Sequence, residues 1–159
     1  MTIIVYKSGV MASDGRVSED STIFTNRHQK IHRLKSGGLI GVAGDADTSD
    51  LVNLLNSLRK PLPAHKQLAA LEYEFDSIFV KPDKTVFVLQ SGRDKEANKY
   101  VTGIFEIKEP FIAVGSGKDL AIGALDRGAS AEQAVKTAIK YDSNCGGPVQ
   151  VFSLESKNE

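Results

Sequence analysis

The stretch Leu39-Ile40-Gly41-Val42-Ala43-Gly44 marks the point where the hydrophobic pattern of the chain changes its period. A near-continuous apolar run of this length is typical of a strand that is buried on both faces. After it, leucines recur at the i, i+3, i+4, i+7 spacing of one helix face, at Leu51, Leu54, Leu55 and Leu58. Acidic residues that suit the dipole of a helix stand at its predicted start, at Asp45, Asp47 and Asp50. We therefore predict a buried strand that ends at Gly44 and opens directly into an amphipathic helix.

Short β-rich runs that are separated by glycine precede this point. In order, they are a run at Ile3 and Val5, a turn at Lys7-Ser8-Gly9, a run at Val10 and Ala12, a tight turn or strand end at Asp14-Gly15, a strand over residues 27–34 and a hairpin loop at Ser36-Gly37-Gly38. The first 44 residues are thus predicted to be strands and turns.

The rest of the chain returns to strands and then to a second pair of helices. The predicted elements are a short helix over 64–72, strands over 74–80, 84–90, 100–107 and 110–114, a helix over 118–127, a second helix after Ser130, and a last strand with Val149, Val151 and Leu154. The polar stretch Ser91–Asn98 is predicted to separate two of these strands. Ser130 and Gln133 have the spacing of a capping box.

The order of the elements decides the fold class. Helices that occur in pairs between groups of strands argue against a doubly wound parallel sheet. We expect an α+β fold, a four-layer αββα sandwich in which two packed antiparallel sheets are flanked by helices. No linker or internal repeat interrupts the pattern, so residues 1–159 are expected to form a single domain.

Composition excludes several classes of protein. The 20 basic residues equal the 20 acidic ones, whereas a dedicated nucleic-acid binder shows a basic excess. No apolar run approaches the ~18–20 residues that span a bilayer, and the N-terminus lacks the pattern of a signal peptide. The single cysteine, Cys145, cannot form an intramolecular disulfide. We expect a cytoplasmic protein without nucleic-acid or membrane partners.

A histidine metal site is not predicted. On a strand, His28 and His32 lie roughly 13 Å apart at about 3.3 Å per residue, which is too far to share one ion. The third histidine, His65, is distant in sequence. A solvated strand face is the simpler interpretation of the first two.

Thr2 is the more informative position. Removal of Met1 leaves a threonine with a free α-amine, which can serve as the base that activates its own hydroxyl. The alternative is that Thr2 merely opens a strand. Asp14 and Lys30 are predicted at neighbouring strand ends, where a lysine paired with a carboxylate can lower the pKa of a nearby hydroxyl. Gly44 would supply a backbone N–H to an oxyanion.

Several motifs resemble, in order and spacing, those of proteasome β-type subunits, of which the bacterial HslV-like peptidases are the simplest relatives. In the first half of the chain they are Thr2-Ile3-Ile4-Val5, Met11-Ala12-Ser13-Asp14-Gly15-Arg16, Gln29-Lys30-Ile31 and Gly41-Val42-Ala43-Gly44. In the second half they are Ala113-Val114-Gly115-Ser116-Gly117, Ala121-Ile122-Gly123, Asp126-Arg127-Gly128 and Asp142-Ser143-Asn144-Cys145-Gly146-Gly147. Each motif is loose, but their common order along nearly the whole chain is specific.

The resemblance implies the αββα fold of the N-terminal nucleophile hydrolases and assigns a role to each matched residue. It makes Thr2 the nucleophile, Asp14 and Lys30 the pair that orients it, and Gly44 the oxyanion donor. Ser116 and Asp142 match residues that hold the threonine amine and its water, and Cys145 stands where the family usually has Ser or Thr. A thiol is the weaker hydrogen-bond partner, so this network is expected to be looser. No cofactor is implied, although in some relatives backbone carbonyls bind a cation; here these would belong to Ile139, Asp142 and Cys145.

The resemblance also implies a function. We expect a threonine-type peptidase that assembles into a homo-oligomeric ring, acts on peptides or unfolded proteins and has an ATP-driven unfoldase as a plausible partner. No propeptide precedes Thr2, so activity would depend on removal of Met1. Two alternatives remain open: a non-catalytic scaffold or binding protein of the same fold, and a hydrolase of small amides that forms no ring.

Overall fold

The structure, a computed structural model, describes residues 2–44 and 48–155; Met1, Asp45 and Asp47, which the sequence predictions invoke, lie outside the described residues. The strands are β1 (Ile4–Lys7), β2 (Val10–Ser13), β3 (Val17–Glu19), β4 (Thr22–Thr25), β5 (Ile31–Arg33), β6 (Leu39–Gly44), β7 (Phe75–Val80), β8 (Val86–Asp94), β9 (Lys99–Ile107), β10 (Phe111–Val114) and β11 (Gln150–Ser153). The helices are α1 (Ser49–Ser57), α2 (His65–Ala69), α3 (Lys118–Asp126) and α4 (Ala131–Tyr141).

The strands form antiparallel sheets. One sheet has the order β10-β1-β2-β11 and another the order β5-β6-β7-β8-β9, while β3 and β4 pair only with each other. Each pairing in these sheets is antiparallel. Antiparallel sheets combined with separate pairs of helices confirm the predicted α+β class.

The buried apolar side chains fall into three clusters, and β6 contributes to two of them. Leu39 and Ala43 pack with side chains of β1 and β2, between the two larger sheets. Ile40 and Val42, which point the opposite way, pack against the buried leucines of α1 and α2. The third cluster joins the other face of β1 to α3 and α4. The continuous apolar run at Leu39 therefore does come from a strand that is buried on both faces, as predicted.

The register of the first sheet brings four chain segments to one edge. Ile4 pairs with Val114 on one side and with Ser13 on the other, and Ser13 also pairs with Gln150. The residues just beyond these pairs are therefore neighbours in space although they are far apart in sequence. They are Thr2 before β1, Asp14 after β2, the glycine-rich turn after β10 and the loop that precedes β11.

The second pair of helices follows its sequence signals. The Ser130 hydroxyl accepts the N–H of Gln133 at 3.2 Å, and the Gln133 side chain accepts the N–H of Ser130 at 3.0 Å, which completes the predicted capping box of α4. The helix α3 stops before Gly128, whose φ of +99° is unfavourable for residues with a side chain. By contrast, α1 begins at Ser49, so the prediction that Gly44 opens this helix directly is wrong.

Other boundaries also differ from the predictions. The stretch over 27–34 contributes only Ile31–Arg33 as a strand. Before it, the N–H of His28 donates to the carbonyl of Gly15 and the N–H of Lys30 donates to the side chain of Gln150. The β3–β4 hairpin was not predicted; β4 is exposed throughout, and its two apolar residues, Ile23 and Phe24, are adjacent in the chain and so do not alternate with polar ones. Ser91–Asp94 continues β8 as a polar extension that pairs with β9. Within the described residues, no helix is long and apolar enough to cross a bilayer.

Candidate active site

A buried lysine stands at the centre of the site. Lys30 lies just before β5, and its side chain is only 4% exposed. Its Nζ donates to the hydroxyl of Thr2 at 2.6 Å, to Oδ1 of Asp14 at 2.9 Å and to the backbone carbonyl of Arg16 at 2.6 Å. The structure thus brings together the three residues, Thr2, Asp14 and Lys30, that the sequence predicted to converge.

Asp14 is fully buried and is held by backbone donors as well as by the lysine. Its Oδ1 accepts the N–H of Ile3 at 3.2 Å, while its Oδ2 accepts the N–H of Arg16 at 3.3 Å and that of Gly146 at 3.1 Å. Hydrogen bonds to a charged acceptor are stronger than those to a neutral one. These donors, together with the Lys30 ammonium, compensate the burial of the carboxylate and fix its orientation.

Burial lowers the pKa of Lys30 below its ordinary value, and the neighbouring charges partly oppose one another. The Asp14 carboxylate raises the pKa, whereas the Arg16 guanidinium lowers it further. The charged lysine is therefore maintained chiefly by Asp14. An ammonium that donates to the Thr2 hydroxyl stabilises negative charge on that oxygen, which is what a threonine needs in order to act as a nucleophile.

The backbone of Thr2 is held by the turn that follows β10. The N–H of Gly117 donates to the carbonyl of Thr2 at 3.3 Å. Gly115 has a φ of +105°, and a Cβ at this position would overlap the same carbonyl oxygen. A glycine is thus required here both by conformation and by the close approach of Thr2.

A second polar group lies beside the backbone carbonyl of Thr2. The Ser116 hydroxyl lies 3.5 Å from the carbonyl oxygen of Thr2 and 3.3 Å from Oδ2 of Asp142, which terminates α4. The thiol of Cys145 lies 3.6 Å from the same Oδ2, and the N–H of Asn144 donates to Oδ1 at 2.9 Å. Ser116, Asp142 and Cys145 therefore form one polar group, which reaches the Thr2 backbone through the Ser116 hydroxyl; the roles that the resemblance implies for them stay predictions.

The surroundings of the Cys145 thiol disfavour its ionised, reactive form. Burial raises the pKa of the thiol to about 12, and the carboxylates of Asp14 and Asp142 add to the effect. The thiol therefore stays protonated near neutral pH, while the reactive form of a cysteine is the thiolate. Its distance to Asp142 is long, as expected where sulfur replaces a hydroxyl oxygen.

The contacts described above do not include Gly44, so its role as the oxyanion donor stays a prediction. It is the last residue of β6 and is opposite Phe75. The link to the site runs through Val42, whose N–H donates to the carbonyl of Lys30 at 3.1 Å. Gly44 also borders a cavity of about 580 Å³ that is lined by residues of β7, β8 and β9, among them Phe75, Gln90 and Phe105.

None of the three histidines takes part in the side-chain contacts of Thr2, Asp14 and Lys30 described above, whereas the candidate cation ligands lie at the end of α4 and in the turn that carries Asp142. His65 begins α2, where its Nδ1 lies 2.7 Å from the hydroxyl of Thr102, while His28 and His32 lie before and within β5. Across residues 2–44 and 48–155, no three His, Cys, Asp or Glu side chains are grouped closely enough to hold a metal ion. Ile139 is in the last turn of α4, and the carbonyl of Asp142 accepts the N–H of Cys145 at 3.0 Å.

Several contributors to the site received no role from the sequence, Arg16 and Gly146 among them. Arg16 supplies the carbonyl that accepts from Lys30, and Gly146 supplies an N–H to Asp14. Both act through the backbone, which residue type does not reveal. The only available signal was their adjacency to Asp14-Gly15 and to Cys145 within the quoted motifs.

The chain is similar to known proteins in sequence and in fold. No family model matches the chain. The chain is 31% identical over 155 residues to the ATP-dependent protease subunit HslV of Roseobacter denitrificans, with 87% of this chain and 82% of that protein covered. It is 29% identical over 126 residues to the protein of the same name from Caulobacter vibrioides, with 77% and 67% covered. The fold is similar to the crystal structure of eukaryotic HslV from Trypanosoma brucei, with a TM-score of 0.62 and 17% identity over 96% of this chain and 98% of that one.

Proposed function

The chain belongs to the HslV family of proteasome-like threonine peptidases, and we propose that it hydrolyses peptide bonds with Thr2 as its nucleophile. The observation that carries this assignment of the nucleophile is the contact of 2.6 Å between the buried Lys30 ammonium and the Thr2 hydroxyl. Removal of a lysine's charge from water is costly, so a lysine this deeply buried indicates a functional reason for its position. Activation of the hydroxyl provides that reason.

The first half of the reaction forms an ester. With Met1 removed, the α-amine of Thr2 takes the proton of the Thr2 hydroxyl, directly or through a water molecule, while Lys30 stabilises the charge that develops on the oxygen. The oxygen attacks the carbonyl carbon of the peptide, and the Gly44 N–H donates to the resulting oxyanion. The C–N bond then breaks, the leaving amine takes the proton from the α-amine, and an ester to Thr2 remains.

The second half restores the enzyme. A water molecule gives its proton to the α-amine and attacks the ester carbon, after which the bond to the Thr2 oxygen breaks and that oxygen regains the proton. Ser116, Asp142 and Cys145 position the amine and this water. The hydrogen bond from Gly117 and the close approach of Gly115 hold Thr2 in place during both steps.

We extend the proposal to architecture and assembly. The three apolar clusters support a single domain, over residues 1–159, in which two sheets are packed between two helical layers in the αββα order. The curated relatives are named as subunits of an ATP-dependent protease. This chain would accordingly form a homo-oligomeric ring in the cytoplasm and receive unfolded proteins from an ATP-driven unfoldase.

A bound cation is a further part of the proposal, and it is not required by the reaction. The ligands would be the backbone carbonyls of Ile139, Asp142 and Cys145, which are hard oxygen donors of the kind that alkali and alkaline-earth ions prefer. The end of a helix leaves carbonyls without partners inside the helix, and Ile139 and Asp142 stand at the end of α4. Such an ion would stiffen the turn that carries Asp142 and Cys145.

The experiment that tests the proposal is the intact mass of the protein after incubation with a peptide epoxyketone. This reagent bonds to both the hydroxyl and the free amine of an N-terminal threonine. We expect a protein without Met1 that carries one adduct, and no adduct on the Thr2→Ala variant. A protein that retains Met1 and forms no adduct would instead support a non-catalytic scaffold. Light scattering separates the ring from a hydrolase of small amides, for which we expect the mass of a single chain, 17.2 kDa.

A further inference from the structure

One arginine contacts both polar groups that flank Thr2. The backbone carbonyl of Arg16 accepts from Lys30 Nζ at 2.6 Å, and its N–H donates to Asp14. Its side chain points the other way, towards the turn after α4, where Nη1 donates to the carbonyl of Ser143 at 2.8 Å. Ser143 directly follows Asp142 in the chain, so Arg16 spans the distance between the two groups.

The guanidinium is itself held in place on two further sides. Its Nε donates to Oδ1 of Asn26 at 2.8 Å, next to the end of β4. A Cβ at Gly146 would overlap the guanidinium, so the turn lies directly against it. The N–H of this same Gly146 donates to Asp14. The backbone N–H groups of Arg16 and Gly146 thus both bind the buried carboxylate, and the Arg16 side chain packs against Gly146.

Arg16 also influences the site through its charge. Burial is the main cause of the lowered pKa of Lys30, and the Arg16 guanidinium lowers that pKa further. Asp14 and Cys145 act on the same pKa in the opposite direction. Removal of the guanidinium charge therefore moves the pKa of Lys30 upward while the other groups remain.

We infer that Arg16 is a positioning residue, which holds the Lys30–Asp14 pair and the turn of Asp142 in one fixed arrangement around Thr2. The inference rests on the proposed function, because it assumes that both groups serve the same reaction. The fixed fork of an arginine suits this role, since it donates in two directions at once from a rigid plane. A lysine at the same position keeps the charge but has one donor centre instead of two.

The test compares Arg16→Met and Arg16→Lys with wild type in the rate of modification by a peptide epoxyketone. Arg27→Met is the matched control, because Arg27 is exposed and contacts neither group. A displacement of about 1 Å in an active site can cost about 100-fold in rate. We expect Arg16→Met to reduce the maximal modification rate about 10- to 100-fold with the half-saturating concentration unchanged, Arg16→Lys to lose less, and the control to match wild type.

The dependence on pH separates positioning from general destabilisation. We assign the alkaline limb of the rate profile to loss of the proton from Lys30. In Arg16→Met the alkaline limb should move to higher pH, whereas in Arg16→Lys it should stay at the wild-type position. Equal rates in Arg16→Met and wild type, or an unmoved alkaline limb in a folded Arg16→Met protein, would overturn the inference.

Asn26→Ala provides a second variant in case Arg16→Met fails to fold. It removes the acceptor of the Arg16 Nε and leaves the other contacts of Arg16 in place, so we expect a several-fold lower maximal rate. An unchanged maximal rate would overturn the inference. Failure of the proposed function has a different signature, since the wild-type protein without Met1 would then form no adduct at all. If the wild type and the variants are modified by the epoxyketone at equal rates, only the role of Arg16 is refuted.

Discussion

Lys30 donates its ammonium hydrogen to the hydroxyl of Thr2 across 2.6 Å, although 28 residues separate the two in the chain. The contact exists because Thr2 precedes β1 and Lys30 precedes β5, two strands that lie in different packed sheets. Asp14, at the end of β2, completes the arrangement by pairing with the same ammonium at 2.9 Å. The reactivity we propose for Thr2 therefore depends on a buried ion pair that the packing of two sheets creates.

Replacement of Lys30 should reduce both activity and stability. Lys30→Met leaves the buried Asp14 carboxylate without its ammonium partner, and breaking a buried pair in this way costs about 3–5 kcal/mol. The three backbone N–H donors to Asp14 favour the lower end of this range. We expect denaturant unfolding to show this loss and epoxyketone modification to fall about 100-fold or more.

The control for this prediction is Lys84→Met. Lys84 is 65% exposed and pairs with Glu155 on the surface. Exposed ion pairs contribute about 0–1 kcal/mol, so its loss should leave both stability and modification nearly unchanged. A similar loss in both variants would contradict the role of the buried pair.

Gly115→Ala should displace Thr2. The added Cβ would overlap the carbonyl oxygen of Thr2, and the φ of +105° is strained for alanine. We expect slower epoxyketone modification together with a lower melting temperature. Gly123→Ala is the matched change, because Gly123 lies inside α3 and a Cβ there meets open space. In a helix interior alanine is more favourable than glycine by about 1 kcal/mol, so this variant should be stabilised and fully modifiable.

Cys145 should make stability depend on pH above about 9. Its folded pKa is raised from 9.0 to about 12, so below pH 9 the thiol is protonated in both the folded and unfolded states. Between these values only the unfolded thiol ionises, and the stabilisation from this group is lost as the pH rises. We expect the free energy of unfolding to decline less steeply from pH 8 to 10.5 in Cys145→Ser than in wild type.

Alkylation provides an independent measurement on the same residue. The folded protein at pH 8 should react with iodoacetamide far more slowly than the denatured protein, since the thiol is buried and protonated. Rapid alkylation of the native state at pH 8 would contradict the raised pKa.

Ser130→Ala should lower stability and leave the reaction unaffected. Loss of an N-cap hydroxyl typically costs about 1 kcal/mol, and Ser130 caps α4 through its bond to the N–H of Gln133. It stands at the opposite end of α4 from Asp142. Equal modification rates at a lower melting temperature would show that loss of stability by itself does not slow the site, which strengthens the reading of the other variants.

Local signals in the sequence were sufficient for the regular elements. The capping box at Ser130 and Gln133, the buried run at Leu39 and the strand ends at Asp14 all involve residues close in the chain, and the structure has them as expected. The β3–β4 hairpin was missed because its exposed strand carries no apolar periodicity. The start of α1 was misplaced because the helical spacing of the leucines marks a face and not a first residue.

The sequence by itself determined which residues of this protein could do chemistry: a threonine that a free amine can activate, and an aspartate and a lysine in motifs shared with a known peptidase family. Only the tertiary structure decided the contacts among these residues, because the Lys30 ammonium binds Thr2 and Asp14, which are 28 and 16 positions away in the chain. It also decided the partners of Asp14 and Lys30, many of which are backbone groups. Backbone N–H and carbonyl groups are the same in nearly every residue. Their roles therefore depend on where the sheets place them and not on the residue type.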